Sequence, residues 1–242
     1  ARELIRISDN PFSEPFLADS SEVLPPKHEG TYKNIILLLH KITGVDFTHY
    51  KRSTVYRRIQ RRMLKNNLPE LKKYSQFARE NPTEVWELLN DIFIHVTSFF
   101  RNPEVYDVLT KSVFPQIAKN KSFANPIRIW VPGCSTGEEA YSIAICLSEF
   151  LEDKPGLKPG IQIFATDISE QVIEKARGGR YPMTIAKDVS PRRLHRFFVK
   201  EKTQYTVTKQ IREMVIFCKQ DVTRDPPFSK IDLVSCQNLL IY

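Results

Sequence analysis

From residue 127 onward, short apolar runs and longer amphipathic ones take turns. "IRIWVP" (127–132) has the composition of a buried strand, and "EEAYSIAICLSEFLED" (138–153) has the spacing of a helix. "IQIFATD" (161–167) is a strand again, and "SEQVIEKARGG" (169–179) a helix again. "IDLVSCQN" (231–238) is a further apolar strand. A helix between two strands carries the chain back along the sheet, so strands joined this way lie parallel. The rhythm limits the second half of the chain to an α/β layer fold. One segment breaks it. "RFFVKEKTQYTVTKQIREMVIFCKQD" (196–221) alternates as antiparallel strands do, and is read as part of a small β element inserted at about residues 180–217.

Between about residues 33 and 95 every periodic segment is helical. "KNIILLLHKITG" stops at Gly44, and "STVYRRIQRRMLKNN" sets Val55, Ile59 and Met63 on one face. "PELKKYSQFAREN" is a third helix. "NPTEVWELLNDIFIHV" opens with Asn81 as N-cap, Pro82 at the first helical position and Glu84 close behind. "RNPEVYDVLTKSVFPQIAKN" repeats that start with Asn102 and Pro103. Residues 1–29 hold four prolines with serines and acids, and read as a linker or extended tail. The expected organisation is therefore a helical domain over 30–95, a connecting helix within 96–126 and an α/β domain over 127–242.

Of the 242 residues 41% are apolar, as in a soluble globular protein. No run approaches the roughly 20 apolar residues that span a bilayer, so no membrane insertion is expected. "ARELIRISDNPF" lacks the apolar core of a signal peptide. Four cysteines without a CxxC pair disfavour structural zinc and a disulfide framework, and no metal site is expected. The expectation is a reduced, cytoplasmic, monomeric domain. The net charge of +8 is uneven: Lys51, Arg52, Arg57, Arg58, Arg61, Arg62 and Lys65 fall in an interval with no acid between Asp46 and Glu70. Such a field attracts nucleic acid, an acidic membrane surface or an acidic protein; it also fits a merely solvated face. Tyr56 alone interrupts the arginines as a stacking aromatic, which ranks nucleic acid below protein.

The loop "GCSTGEE" joins the first strand to its helix. Gly133 and Gly137 allow backbone to approach a ligand where a Cβ would block it, although a tight βα turn without ligand fits the same spacing. Asp167 ends the second strand, where a carboxylate can accept hydrogen bonds from ribose hydroxyls. Asp221 follows the third strand, in reach of an adenine or its ribose. No lysine follows the second glycine, which disfavours a phosphate loop. Glu138 and Glu139 would repel a pyrophosphate and attract a cation. S-adenosylmethionine, with adenosine, an ammonium, a sulfonium and no phosphate, fits this set.

"HVTSFFRNPEVY", "WVPGCSTGEEAYSIAI", "IFATDISEQVIEKARGGRY" and "SCQNLLIY", in this order, resemble the CheR-type chemotaxis receptor methyltransferases, and "HYKRSTVYRRIQRRM" resembles their amino-terminal helical domain. The resemblance covers roughly residues 33–242 and is closest to members embedded in multidomain signalling proteins. It implies a class I, Rossmann-like methyltransferase domain behind an all-α domain. It implies methyl transfer from S-adenosylmethionine to glutamate carboxylates on an acidic helical region of a methyl-accepting receptor. The cofactor positions it implies are Thr97, Arg101, Gly133, Glu139, Asp167, Asp221, Val222 and Asn238. Arg101, Asp167 and Tyr242 fall at the implied active centre, and Arg57, Arg58, Arg61 and Arg62 at the implied receptor-docking helix. A glutamate carboxylate is ionised and nucleophilic at neutral pH, so the enzyme's task is placement, with about 3 Å between carboxylate and methyl. Arg101 would position the carboxylate or the cofactor, and Tyr242 would orient the acceptor oxygen; Tyr242 also fits a packing role, and Arg101 a helix-bridging one.

His95 and Gln237 depart from the family pattern, and the hairpin "FFVKEKTQYTV" lacks the glycine-rich extension that the family links to capture of a receptor tail. The family continues beyond the position of Tyr242 with more helices and strands, so a sheet truncated at its C-terminal side is expected. A non-catalytic domain that senses the cofactor, or acts as a scaffold for an acidic partner, is the alternative.

Overall fold

The computed structural model describes residues 25–48, 50–93, 97–154, 156 and 159–239. They fall into two compact units that divide between residues 94 and 95. Of the expected tail, residues 1–24 lie outside the described residues, as does His95, while Pro26–His28 forms a 3-10 turn into the first helix.

The first unit is all helical: α1 (Glu29–Thr43), α2 (Arg52–Lys65), α3 (Leu71–Glu80) and α4 (Pro82–Ile92). Gly44 ends α1 at φ +75°, its N–H donating to the His40 carbonyl at 2.9 Å. This left-handed stop is nearly free for glycine and costly for other residues. The start of α4 differs from the sequence expectation. Pro82 takes the first position, but the Asn81 side chain turns back and donates to the Phe77 carbonyl at 2.8 Å, closing α3 instead of capping α4. Glu84 is drawn inward by a stronger partner. Arg62 Nε and Nη2 donate to its two oxygens at 2.9 and 2.6 Å, and the Tyr74 hydroxyl donates to it at 2.8 Å. Around this polar centre Ile35, Leu39, Val55, Ile59, Leu88 and Ile92 are buried, each burial stabilising by about 1.5–3 kcal/mol.

The second unit begins with α5 (Pro103–Val108), which runs through a π turn (Leu109–Val113) into α6 (Phe114–Ile117). There follow β1 (Ile127–Pro132), α7 (Glu138–Glu152), β2 (Ile161–Asp167) and α8 (Glu170–Gly178). Next come β3 (Arg180–Pro182), α9 (Pro191–Phe197), β4 (Phe198–Lys200), β5 (Gln204–Val207), α10 (Lys209–Arg212), β6 (Val215–Lys219) and β7 (Leu233–Val234). The main sheet has the order β6-β2-β1-β7, and all its pairs are parallel. Ile127, Ile129, Val131, Ile163 and Ala165 face α7, whose Ala140, Ile143, Ala144 and Leu147 are fully buried. This is the Rossmann-like α/β arrangement that the alternating runs imply.

The inserted sheet has the order β3-β5-β4, is antiparallel, and ends at Val207. The sequence-based bound near 217 therefore runs too far, because Val215–Lys219 belongs to the main parallel sheet. The physical reason lies in β6 itself. Val215 and Phe217 are buried while Ile216 is 46% exposed, so this parallel strand alternates like one covered on a single face. No helix among the described residues is long and apolar enough to cross a membrane.

Candidate functional site

In a parallel sheet every strand leads out at the same edge, so the loops after β1, β2, β6 and β7 gather there. The loop after β1 needs three left-handed residues in a short span: Gly133 (φ +67°), Ser135 (φ +49°) and Gly137 (φ +96°). This turn aims the Ser135 N–H at Asp167, whose Oδ2 accepts it at 2.9 Å. Oδ1 of the same carboxylate accepts the Ser169 N–H at 3.0 Å, and the Asp167 carbonyl accepts the Gln220 N–H at 3.0 Å. Asp167 thus joins the ends of β1, β2 and β6. Each carboxylate oxygen retains acceptor capacity, as hydrogen bonds from a ribose require.

The two glycines serve packing. A Cβ on Gly137 would stand 3.0 Å from the Ala176 Cβ and 3.1 Å from the Phe217 ring. One on Gly133 would stand 3.0 Å from a Leu239 methyl. Positive φ and close packing by themselves require glycine at both positions.

Glu138 and Glu139 open α7 and are 9% and 8% exposed. Glu138 accepts from the Thr136 hydroxyl at 2.7 Å. Glu139 accepts from the Ser235 hydroxyl at 2.6 Å, which ties the loop after β7 to the start of α7. Burial raises both carboxyls above their ordinary range, and their hydrogen bonds offset this only in part. The helix N-terminus favours negative charge at the same place. Two buried anions at a helix start make poor surroundings for a phosphate and good ones for a cation.

Thr97 is half-buried and Arg101 exposed, on the segment that enters α5. Phe100, between them, has φ +50°, an uncommon conformation for a bulky side chain that costs about 1–3 kcal/mol. It is held from several sides. Its N–H donates to the Ser142 hydroxyl on α7 at 3.0 Å, and its ring meets Tyr106 edge-on at 5.4 Å. The Arg193 guanidinium, forked onto Glu149, lies 4.2 Å from the same ring. Phe99 packs edge-on against Tyr181 and Phe198 of the insert. The insert and α7 together fix the backbone that presents Arg101.

Asp221 follows β6 and is half-buried; its Oδ1 accepts from the N–H and the hydroxyl of Thr223 at 2.9 and 2.7 Å. Val222 is 44% exposed, and Asn238, exposed with φ +57°, follows β7. Tyr242 lies outside the described residues.

Within the first unit, Arg57 and Arg61 are exposed and Arg58 is half-buried. Arg62 corrects the sequence expectation: it is 3% exposed and bound to Glu84, with Glu87 and Asp91 at 3.3 and 3.6 Å. A guanidinium spent on three internal carboxylates has nothing to offer a docking partner. Among residues that sequence reasoning passed over, Ser135, Ser142 and Ser235 hold the site's loops. Serines carry no periodic signal, so no local pattern marks them. Among the described residues no group of three or more His, Cys, Asp or Glu side chains could hold a metal ion.

A family model described as the CheR methyltransferase SAM binding domain matches residues 95–242, and one described as the CheR methyltransferase all-alpha domain matches residues 30–93. An "Uncharacterized 104.1 kDa protein in hypE 3'region" of Rhodobacter capsulatus is 38% identical over 208 residues, covering 86% of this chain and 22% of that protein. A chemotaxis protein methyltransferase of Listeria monocytogenes is 28% identical over 217 residues, covering 90% of this chain and 80% of that protein. Chemotaxis protein methyltransferase 1 of Pseudomonas aeruginosa is 30% identical over 211 residues, covering 85% of this chain and 77% of that protein.

Proposed function

Because the chain belongs to the CheR methyltransferase family, with both its SAM-binding and its all-alpha domain, we propose that it methylates glutamate side chains on an acidic helical face of a chemoreceptor. Its cofactor is S-adenosylmethionine, which supplies a methyl group carried on a positively charged sulfur.

The observation that carries the reading is the buried pair Glu138 and Glu139 at the start of α7. The residues fit the cofactor. Asp167, fixed by Ser135 and Ser169, offers acceptors to a ribose; Glu139, fixed by Ser235, offers negative charge to a cationic group; and Asp221 and Val222 lie at the next strand end. Arg101, exposed on a backbone clamped at Phe100, is the positioning group for the acceptor carboxylate or the cofactor. Arg57 and Arg61 are the docking cations for an acidic helix, drawing it in by charge complementarity. A carboxylate acceptor needs no general base, so placement suffices. On this reading the domain works in the cytoplasm.

The test is transfer of radiolabelled methyl groups to a purified acidic receptor fragment, with release of label in mild base as an ester requires. Cofactor binding without base-labile transfer to any receptor helix would overturn the enzymatic reading in favour of a sensor.

A further inference from the structure

Tyr181 lies on β3, the first strand of the inserted sheet, and is buried. Its hydroxyl donates to the Thr136 carbonyl at 2.6 Å. Thr136 stands in the loop after β1, between Ser135 at φ +49° and Gly137 at φ +96°. A left-handed backbone at a residue with a Cβ is unfavourable and persists only where its surroundings hold it. Three contacts hold it here. The Ser135 N–H donates to Asp167, the Thr136 hydroxyl donates to Glu138, and the Thr136 carbonyl accepts from Tyr181. The first two come from the strand and helix that the loop itself joins or borders; the third comes from the insert. The phenol is fixed in turn. Tyr181 pairs with Tyr205 across the inserted sheet, and its ring meets Phe99 edge-on at 4.8 Å and Tyr141 at 6.3 Å. Burial pushes the phenol above its ordinary value, so it keeps the proton it donates.

We propose that Tyr181 is a positioning residue for S-adenosylmethionine: its hydroxyl, through the Thr136 carbonyl, holds the loop after β1 in the turn that sets Ser135 against Asp167. The inference rests on the cofactor reading of this site and adds to it a group from the insert, which acts through the loop and not on the ligand. Without the hydroxyl, the Thr136 peptide is released between its two left-handed neighbours, and the Ser135 N–H that orients Asp167 is released with it. The ribose then meets a carboxylate that must be ordered at the moment of binding, and that cost is lost affinity.

The experiment is calorimetric titration of the whole chain, of Tyr181→Phe and of Tyr141→Phe, well below their thermal midpoints. Tyr141 is the matched control: it is a neighbouring buried tyrosine whose hydroxyl donates to a backbone carbonyl at 2.8 Å, but that carbonyl belongs to Ala176 on α8. The probes are S-adenosylhomocysteine and methylthioadenosine, which keeps the ribose and lacks the amino-acid end. Each variant loses one buried hydrogen bond, so both midpoints should fall by about 2–4 °C. Only Tyr181→Phe should weaken binding, by about five- to tenfold and by the same factor for both probes, because both present the ribose. Unchanged affinity in Tyr181→Phe would overturn the inference. So would an equal loss in Tyr141→Phe, the mark of a general packing defect, or a loss confined to S-adenosylhomocysteine, which would put the effect at the amino-acid end. A wild-type chain that binds neither probe would overturn the cofactor reading itself, and the inference with it.

Discussion

The carboxylate of Asp167 accepts the backbone N–H of Ser135 at 2.9 Å, and so the loop after β1 is built onto the end of β2. On the proposed cofactor reading, the residue that accepts from the ribose is also the residue that shapes the loop beside it. Affinity and local order are therefore coupled at this position.

Asp167→Asn keeps one good acceptor and puts two donors where the other was. Either Ser135 or Ser169 then loses its partner, and the ribose loses an anionic acceptor. The expected outcome is a loss of roughly 100-fold or more in S-adenosylhomocysteine affinity by calorimetry, with a drop of about 1–3 kcal/mol in stability from the unpaired N–H.

Glu138 and Glu139 hold their protons more tightly folded than unfolded, burial being the main cause. A raised folded pKa contributes stability that is fully present below the unfolded value, about 4.3, and is lost as pH rises through the folded one. At neutral pH the charging of both carboxylates thus works against folding. Glu139→Gln should lose less stability than wild type between pH 4 and pH 8 in urea titrations. It should also bind S-adenosylmethionine at least tenfold more weakly.

Arg62 and its neighbours on α2 separate by mechanism. Arg62→Ala leaves Glu84 buried and uncompensated, and should destabilise the helical unit by about 3–5 kcal/mol in chemical denaturation followed by circular dichroism. Arg57→Ala and Arg61→Ala, at exposed positions, should stay within about 0.5 kcal/mol of wild type. Arg57→Glu with Arg61→Glu should lower affinity for an acidic receptor fragment several-fold at low salt, a loss that shrinks as salt screens the charges.

Gly137→Ala meets both obstacles a glycine can remove, a φ of +96° and contacts at 3.0–3.1 Å. A loss of at least about 2 kcal/mol is expected, from the left-handed backbone and from overpacking. Gly30, on α1 with open space around it, is the contrast: Gly30→Ala should stabilise by up to about 1 kcal/mol through helix propensity, read as a raised thermal midpoint.

Much of the fold was legible because its signals are local. The apolar runs at 127–132 and 161–167 and the glycine stop at Gly44 each report their own backbone. The misreadings came where a residue answers to a distant neighbour. Glu84 was expected to help start its helix and instead pairs with Arg62, twenty-two positions away. Val215–Lys219 alternates because of what covers it, which the strand's own composition does not state. Arg62 shares a basic run with Arg61, yet one helical step of about 100° takes it from solvent into the core.

The sequence by itself determined the α/β rhythm, the helical first unit and the chemical character of the loop: glycines, two acids, no lysine, and an aspartate at the next strand end. These follow from periodicity and charge, which are properties of neighbouring residues. Only the tertiary structure decided that Asp167 holds Ser135, that Glu139 reaches Ser235, and that a Cβ on either loop glycine would meet packed side chains. Each of those facts depends on which side chains meet across the sheet edge. That is set by the packing of strands and helices far apart in the chain, and no local pattern records it.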